Sequence, residues 1–234
     1  MLNVRHKDDR GMTETYWLNS AHSFSFGEYH NPKNMGFGPL RVINEDKVRA
    51  GTGFGTHGHA NMEIITYVLS GQIEHKDSLG NGGLIKPGDL QVMSAGKGIM
   101  HSEYNPSETE DVHFLQIWIM PNETGTKPGY QQTTFNTDEF KNALRLVVTP
   151  DGANGTLRIK QDAKLWASRL ESGKSVSLEM AGNRKYWLQL ARGKVNLRGQ
   201  ALEAGDAVGF DNETGTLDIQ AVEDAEFILF ELPR

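Results

Sequence analysis

Apolar runs in this 234-residue chain are short, and glycine-bearing turns cut them off. The longest, such as Ile64 to Leu69, are strand-sized, far below the roughly 18 residues of a membrane span. Such a chain folds as strands and tight turns. Its 26 Gly, 8 Pro and many β-branched and aromatic residues point the same way. Leu40-Arg41-Val42-Ile43 reads as a strand, closed by the polar turn Asn44-Glu45-Asp46. Glu63 to Leu69 runs into Ser70-Gly71 and returns as Gln72 to His75, which is a hairpin. Val112 to Met120 alternates His113, Leu115, Ile117 and Ile119 with Phe114, Gln116, Trp118 and Met120. Both faces are mostly apolar, so this strand is covered on two sides. Only Asp138 to Leu144 suggests a short helix.

Pro121 to Gly129 breaks the strand pattern and marks a linker. The expected division is residues 1–123, a linker region over 124–143, and residues 144–234. An internal repeat supports two similar halves. Leu69-Ser70-Gly71-Gln72-Ile73 followed by Pro87-Gly88-Asp89-Leu90 has a counterpart in Ala191-Arg192-Gly193-Lys194-Val195 followed by Ala204-Gly205-Asp206-Ala207. The Gly-to-Gly interval is 17 residues in the first copy and 12 in the second, a difference that one shortened hairpin loop explains. The expected fold is all-β: two small β-barrels in tandem with little helix.

Net charge is −6, with 10 basic and 15 acidic residues over 1–123 and 14 and 15 over 124–234. Neither half shows the Lys/Arg excess of a nucleic-acid surface. Without Cys there is no disulfide, thiolate metal site or Cys nucleophile. The first eleven residues carry His6, Lys7, Asp8, Asp9 and Arg10 and no apolar stretch, unlike a secretory signal. A cytoplasmic protein without nucleic-acid or membrane contact is expected.

All eight His lie before residue 114, so an imidazole metal site belongs to the first half. His57-Gly58-His59 is its centre. On a strand, residues two apart point to one side, about 7 Å apart along the backbone. His101-Ser102-Glu103 repeats the device 44 residues after His57. Glu63 shares the parity of the first pair and joins it if the strand stays regular. Gly51, Gly53 and Gly55 precede the first pair, and Gly96 and Gly98 the second, allowing close backbone approach. One His-x-His reads equally well as two surface residues; two such pairs favour a metal. Three imidazoles and one carboxylate leave positions open on a five- or six-coordinate ion. That suits Fe(II), Mn(II), Ni(II) or Cu(II) in catalysis rather than a closed structural site.

Gly51-(x)5-His57-Gly58-His59-(x)3-Glu63, with Gly71 one residue later than usual, resembles the first cupin motif, and Pro87-Gly88-Asp89 followed by His101 resembles the second. Trp17-Leu18-Asn19-Ser20, His22-Ser23-Phe24-Ser25-Phe26, Met35-Gly36-Phe37-Gly38, Leu40 to Asn44, Gly53 to His57, Met93 to Glu103 and Gln116 to Ile119 are similar to the pirin family. The likeness is close over residues 5–132 and looser beyond, and it looks nearest to bacterial pirin-like proteins with quercetinase activity. It implies a bicupin of two jelly-roll barrels, with metal only in the N-terminal one. It implies His57, His59, His101 and Glu103 as ligands, with Glu63 behind them rather than on the metal. One divalent ion per chain is implied, Fe2+ by preference, with Cu, Ni, Mn, Co or Zn as other occupants. The implied activity is O2-dependent cleavage of flavonols such as quercetin, releasing carbon monoxide. The alternative is a metal-bearing, redox-sensing regulatory protein that binds a partner protein, as animal pirins do; a cupin enzyme of another substrate is a third reading.

Glu103 then has two expected roles, ligand and acceptor of the flavonol 3-hydroxyl proton. His22 and His30 stand among aromatics and either rim the pocket or make structural hydrogen bonds. His113 reads as a core or supporting histidine. Met35, Phe37, Met93 and Met100 are candidates for an apolar pocket, with core packing the alternative for at least two. By the glycine alignment, the second half carries Glu179, Ala181, Lys185 and Asp218 near the places of His57, His59, Glu63 and His101, so it offers no imidazole.

Overall fold

The short apolar runs become strands, joined mostly by short turns and, between His22 and Leu40, by a long loop. The computed structural model describes residues 2–234. Among these the only helical segments are three 3₁₀ turns. The helix expected over Asp138 to Leu144 is one of them, Thr137–Phe140, capped by the Asn136 side chain. Asn142 has a left-handed φ of 52°, and Lys141 bridges to Arg169, so the chain leaves the turn for a strand instead of continuing a helix. No helix is long and apolar enough to cross a membrane.

Contacts divide the chain into two units: residues 11–135 with 157–161, and residues 2–10 with 136–156 and 162–234. This division departs from the sequence-based one at both ends. Gly129–Thr134, expected in the linker, pairs with Asp89–Ser94 and becomes an edge strand of the first unit. Leu2–Arg5 pairs with Ala207–Asp211 of the second unit. Backbone pairing decides both placements, and a linker-like composition does not report it.

In the first unit, a seven-stranded antiparallel sheet runs Gly129–Thr134, Asp89–Ser94, Glu63–Ser70, Val112–Ile119, Leu40–Val48, Leu18–His22, Gly11–Glu14. A four-stranded sheet runs Gly53–His59, Ile99–Tyr104, Ile73–Asp77, Gly82–Ile85. Val48, Val68, Val112 and Phe114 of the large sheet share one buried cluster with Ile73 and Ile85 of the small one, so the sheets face each other. The architecture is all-β, and the two facing sheets are the open-edged jelly-roll form of the barrel that the sequence suggested.

The second unit repeats this topology. Its large sheet runs Leu2–Arg5, Ala207–Asp211, Arg184–Arg192, Ala225–Pro233, Lys164–Leu170, Arg145–Thr149, and its small sheet runs Ser175–Met180, Gly215–Ala221, Lys194–Leu197, Gln200–Glu203. The repeat glycines occupy equivalent places. Gly71 and Gly193 have φ of 73° and 74°, and Gly88 and Gly205 have 96° and 94°. A Cβ at Gly71 meets the Asp111 carbonyl oxygen at 2.7 Å, and one at Gly193 meets that of Asp224 at 1.9 Å. Only glycine fits there.

Candidate metal centre

The small sheet of the first unit sets the site. Gly53–His59 and Ile99–Tyr104 pair antiparallel with His101 opposite His57 and Ile99 opposite His59. The strands approach closely: a Cβ on Gly53 lies 2.3 Å from the Glu103 carbonyl oxygen. A register shift between His101 and Glu103 puts Phe54, not Gly55, opposite Glu103. A bulge of this kind re-aims side chains beside it.

Three imidazoles converge. His101 Nε2 lies 3.0 Å from His59 Nε2 and 2.9 Å from His57 Nε2. His57 Nδ1 donates to the Gly55 carbonyl at 2.8 Å, so the neutral ring has a lone pair at Nε2. Hydrogen bonding leaves part of this cluster unsatisfied, because even a proton on His101 Nε2 would serve only one of its two contacts. A cation satisfies all three nitrogens. Metal–nitrogen bonds of about 2.1 Å at right angles place neighbouring donors about 3.0 Å apart, against about 3.4 Å at tetrahedral angles. Separations of 3.0 and 2.9 Å lie within the reach of one ion held by these nitrogens. Burial, reinforced by neighbouring imidazoles, holds His59 down to about 4 and His101 down to about 2. Both rings are neutral at neutral pH, with lone pairs free to bind.

Glu103 is wholly buried beside this cluster. Its Oε2 accepts from Gln116 Nε2 at 2.8 Å, and Oε1 lies 3.4 Å from Thr66 Oγ1. Burial pushes its carboxyl above the usual range, opposed by the Gln116 bond and by His57. Glu63 does not join. The chain turns at Asn61, where φ is 52°, and Glu63 starts the next strand. There it accepts from Ser94 Oγ at 2.7 Å and from the Lys160 N–H at 3.1 Å.

A polar row crosses the large sheet in front of Glu103. Cross-strand register aligns His22, Asn44, Gln116, Thr66, Gln91 and Gln132 on six successive strands. Such rows inside a sandwich are normally apolar. Thr66 donates to Gln91 Oε1 at 2.7 Å, and His22 Nδ1 pairs with Asn44 Oδ1 at 2.8 Å. The sequence did not reveal this row, because its members come from six strands and each alone reads as a polar residue in an apolar run.

A cavity of about 270 Å³ opens onto His57, His59 and Glu103. Leu18, Phe26, Phe54 and Trp118 form its apolar walls, and Thr13, Ser20, His22, Asn44, Asp46 and Gln116 its polar ones. Trp118 sits edge-on to His59 with centroids 4.9 Å apart. His22 thus both rims the pocket and makes structural bonds, the second to Thr13 Oγ1 at 2.8 Å. None of Met35, Phe37, Met93 and Met100 lines this cavity: Met93 is core, and Met35 and Met100 are exposed. His113, expected in the core or behind the ligands, is instead only partly buried and pairs with Glu45 at 2.9 Å.

Asp46 is a buried carboxyl in the cavity wall, bonded by the Ser20 hydroxyl. Burial pushes it up to about 7, opposed by Ser20 and reinforced by Glu103 and Glu45. Between about pH 4 and 7 the unfolded chain ionises this group while the folded one does not, so stability falls as pH rises. Three units correspond to about 4 kcal/mol at most. Asp46→Asn removes the dependence because an amide does not titrate, and its Oδ1 still accepts from Ser20. Denaturant unfolding of the metal-free proteins should show the variant gaining on the parent from pH 4 to pH 7. A difference that stays constant with pH would contradict this assignment.

The second unit carries none of this chemistry. Counting from Gly193 and the strand pairs, Leu178, Met180, Leu197, Leu217 and Ile219 hold the places of His57, His59, His75, His101 and Glu103. Trp166, Leu229, Leu188, Val208 and Val4 replace Asn44, Gln116, Thr66, Gln91 and Gln132. All ten belong to or pack against one hydrophobic cluster. The glycine alignment had named Glu179, Ala181 and Asp218, one residue away and therefore on the opposite strand face.

Residues 3–119 match the Pirin family model, and residues 146–232 match the model described as the quercetinase C-terminal cupin domain. The chain is 44% identical over 233 residues to a protein of Escherichia coli strain K12 named quercetin 2,3-dioxygenase, covering 100% of this chain and 99% of that protein. The crystal structure of the bacterial pirin YhhW of Escherichia coli in complex with nickel(II) superposes with a TM-score of 0.94 at 43% identity, covering 100% of this chain and 99% of that one. A quercetin 2,3-dioxygenase structure from Acinetobacter baumannii shares the fold, with a TM-score of 0.80 at 21% identity over 99% of this chain and 86% of that one. With its duplicated sandwich and full-length relatives, the chain belongs to the pirin family.

Proposed function

We propose that the protein is a metal-dependent dioxygenase that cleaves flavonols such as quercetin with O2, with His57, His59, His101 and Glu103 as ligands of one Fe2+. The observation that carries this reading is the convergence of three imidazole Nε2 atoms at the end of an aromatic-walled cavity. The relatives named quercetin 2,3-dioxygenase support the substrate class, and the nickel complex supports a divalent ion.

A divalent ion bound there supplies positive charge that makes the flavonol 3-hydroxyl easier to ionise. The chain's own residues do the rest. Glu103, oriented by Gln116, accepts the hydroxyl proton. Phe26, Phe54, Trp118 and Leu18 hold the flat rings and exclude water. Asn44, His22 and Asp46 offer hydrogen-bond partners to ring hydroxyls on the far wall. The products are a phenolic ester, which takes up both oxygen atoms, and carbon monoxide.

The test is oxygen uptake with quercetin by protein loaded in turn with iron, nickel, copper and manganese, with carbon monoxide measured alongside. Uptake matched by carbon monoxide supports the reading. No uptake with any metal sinks it and leaves the regulatory reading. Because the second unit has apolar residues at every ligand position, elemental analysis should find one tightly bound ion per chain; two would contradict the assignment.

A further inference from the structure

His75 and Asp77 lie on Ile73–Asp77, the strand that flanks Ile99–Tyr104 on the side away from His57. Register puts Asp77 opposite His101 and His75 opposite Glu103. Both side chains are 0% exposed. His75 Nδ1 lies 3.3 Å from His101 Nδ1, and His75 Nε2 lies 3.4 Å from Asp77 Oδ2. The His75 ring stacks on Tyr130, centroids 4.8 Å apart. Asp77 is itself anchored: its Oδ1 accepts from the Leu79 N–H at 2.8 Å and the Asn81 N–H at 3.0 Å, and its Oδ2 from Asn81 Nδ2 at 3.0 Å.

We propose that Asp77 and His75 are positioning residues that set the tautomer of His101 and so hold its Nε2 lone pair toward the metal. The inference rests on the reading of His101 as a ligand. The hydrogen-bond logic runs in one direction. Asp77 is an acceptor, and its two backbone N–H partners leave no room for a donor on Oδ1. His75 must therefore carry its proton on Nε2, which leaves Nδ1 as an acceptor. His101 then donates from Nδ1 and carries a lone pair on Nε2, the atom that faces His57 and His59. A ligating imidazole whose other nitrogen is hydrogen-bonded is a better-oriented and more basic donor. In the second unit Leu197 holds the place of His75, lost together with the ligands.

This arrangement makes an unusual demand on Asp77 variants. Asp77→Asn preserves shape, and the two backbone donors keep its Oδ1 where it is. Its amide N–H then faces His75 Nε2, which reverses every step and places a proton on His101 Nε2. Asp77→Ala merely removes the tether and leaves the tautomers free. The conservative variant is therefore the more damaging one, the reverse of what a structural role produces.

Chelator-competition titrations with Ni2+ and Zn2+ read the effect. The expected result is affinity about 10-fold weaker in Asp77→Ala and about 100-fold weaker in Asp77→Asn, within or at the edge of the usual range for such partners. Equal losses, or a milder Asn variant, overturn the proposal. Nitrogen-15 NMR of the imidazoles in the unmutated metal-free protein provides a test that needs no folded variant. His101 should be protonated at Nδ1 and His75 at Nε2, and the opposite pattern overturns the proposal. A His101→Ala protein that binds metal normally contradicts the ligand assignment itself, whereas a large loss there with equal Asp77 variants contradicts only the relay.

Discussion

His101→Ala should lose tight metal binding and, with it, flavonol turnover, while circular dichroism stays nearly unchanged. Both short nitrogen contacts in the cluster end on His101 Nε2. Its loss leaves His57 and His59 without their central partner and removes the link to His75. Affinity should fall by more than about 100-fold, beyond the loss typical of a supporting residue. The fold survives because the large sheet is held by Ile65, Leu115 and Ile117, each buried and away from the cluster. His113→Ala is the control: it breaks the pair with Glu45 and should leave metal affinity as it was. Chelator competition on the two variants reads both outcomes. Normal affinity in His101→Ala contradicts the assignment.

Glu103→Gln should keep part of the metal and most flavonol binding yet lose turnover by about 10²- to 10⁴-fold, the usual worth of a positioned proton acceptor. The amide keeps the volume and shape of a side chain that is 2% exposed. Its oxygen still accepts from Gln116, and its N–H₂ finds Thr66 Oγ1. What disappears is the charge and the basicity. Oxygen uptake normalised to bound metal separates the two roles. Turnover per bound ion equal to the parent's would leave Glu103 as a ligand alone.

The two pairs of candidate ligands, His57 with His59 and His101 with Glu103, were legible because each lies within three residues of one strand, where side-chain parity is a local property. The duplication was legible in Gly71 and Gly193, where left-handed φ combines with a backbone approach that leaves no room for a Cβ. What the sequence hid is what needs three or more strands to assemble. His75 looked like one more strand histidine until register set it against His101. The row from His22 to Gln132 exists only across six strands. Parity alone left Glu63 open as a partner of the first pair, and a single left-handed residue, Asn61, ends the strand on which that depended. The second-half equivalents were off by one residue, a shift that glycine counting cannot detect and that moves each side chain to the other face.

One ion, one cluster and one reaction stand or fall together, and a single titration tests all three. Metal-free protein receives Fe2+ in sub-stoichiometric steps under anaerobic conditions, and oxygen uptake with quercetin is measured after each step. The account predicts a rate that rises in proportion to added iron and breaks at one equivalent per chain, with one carbon monoxide released per O2 consumed. A rate that is absent throughout, or that continues to climb linearly to two equivalents, would contradict it.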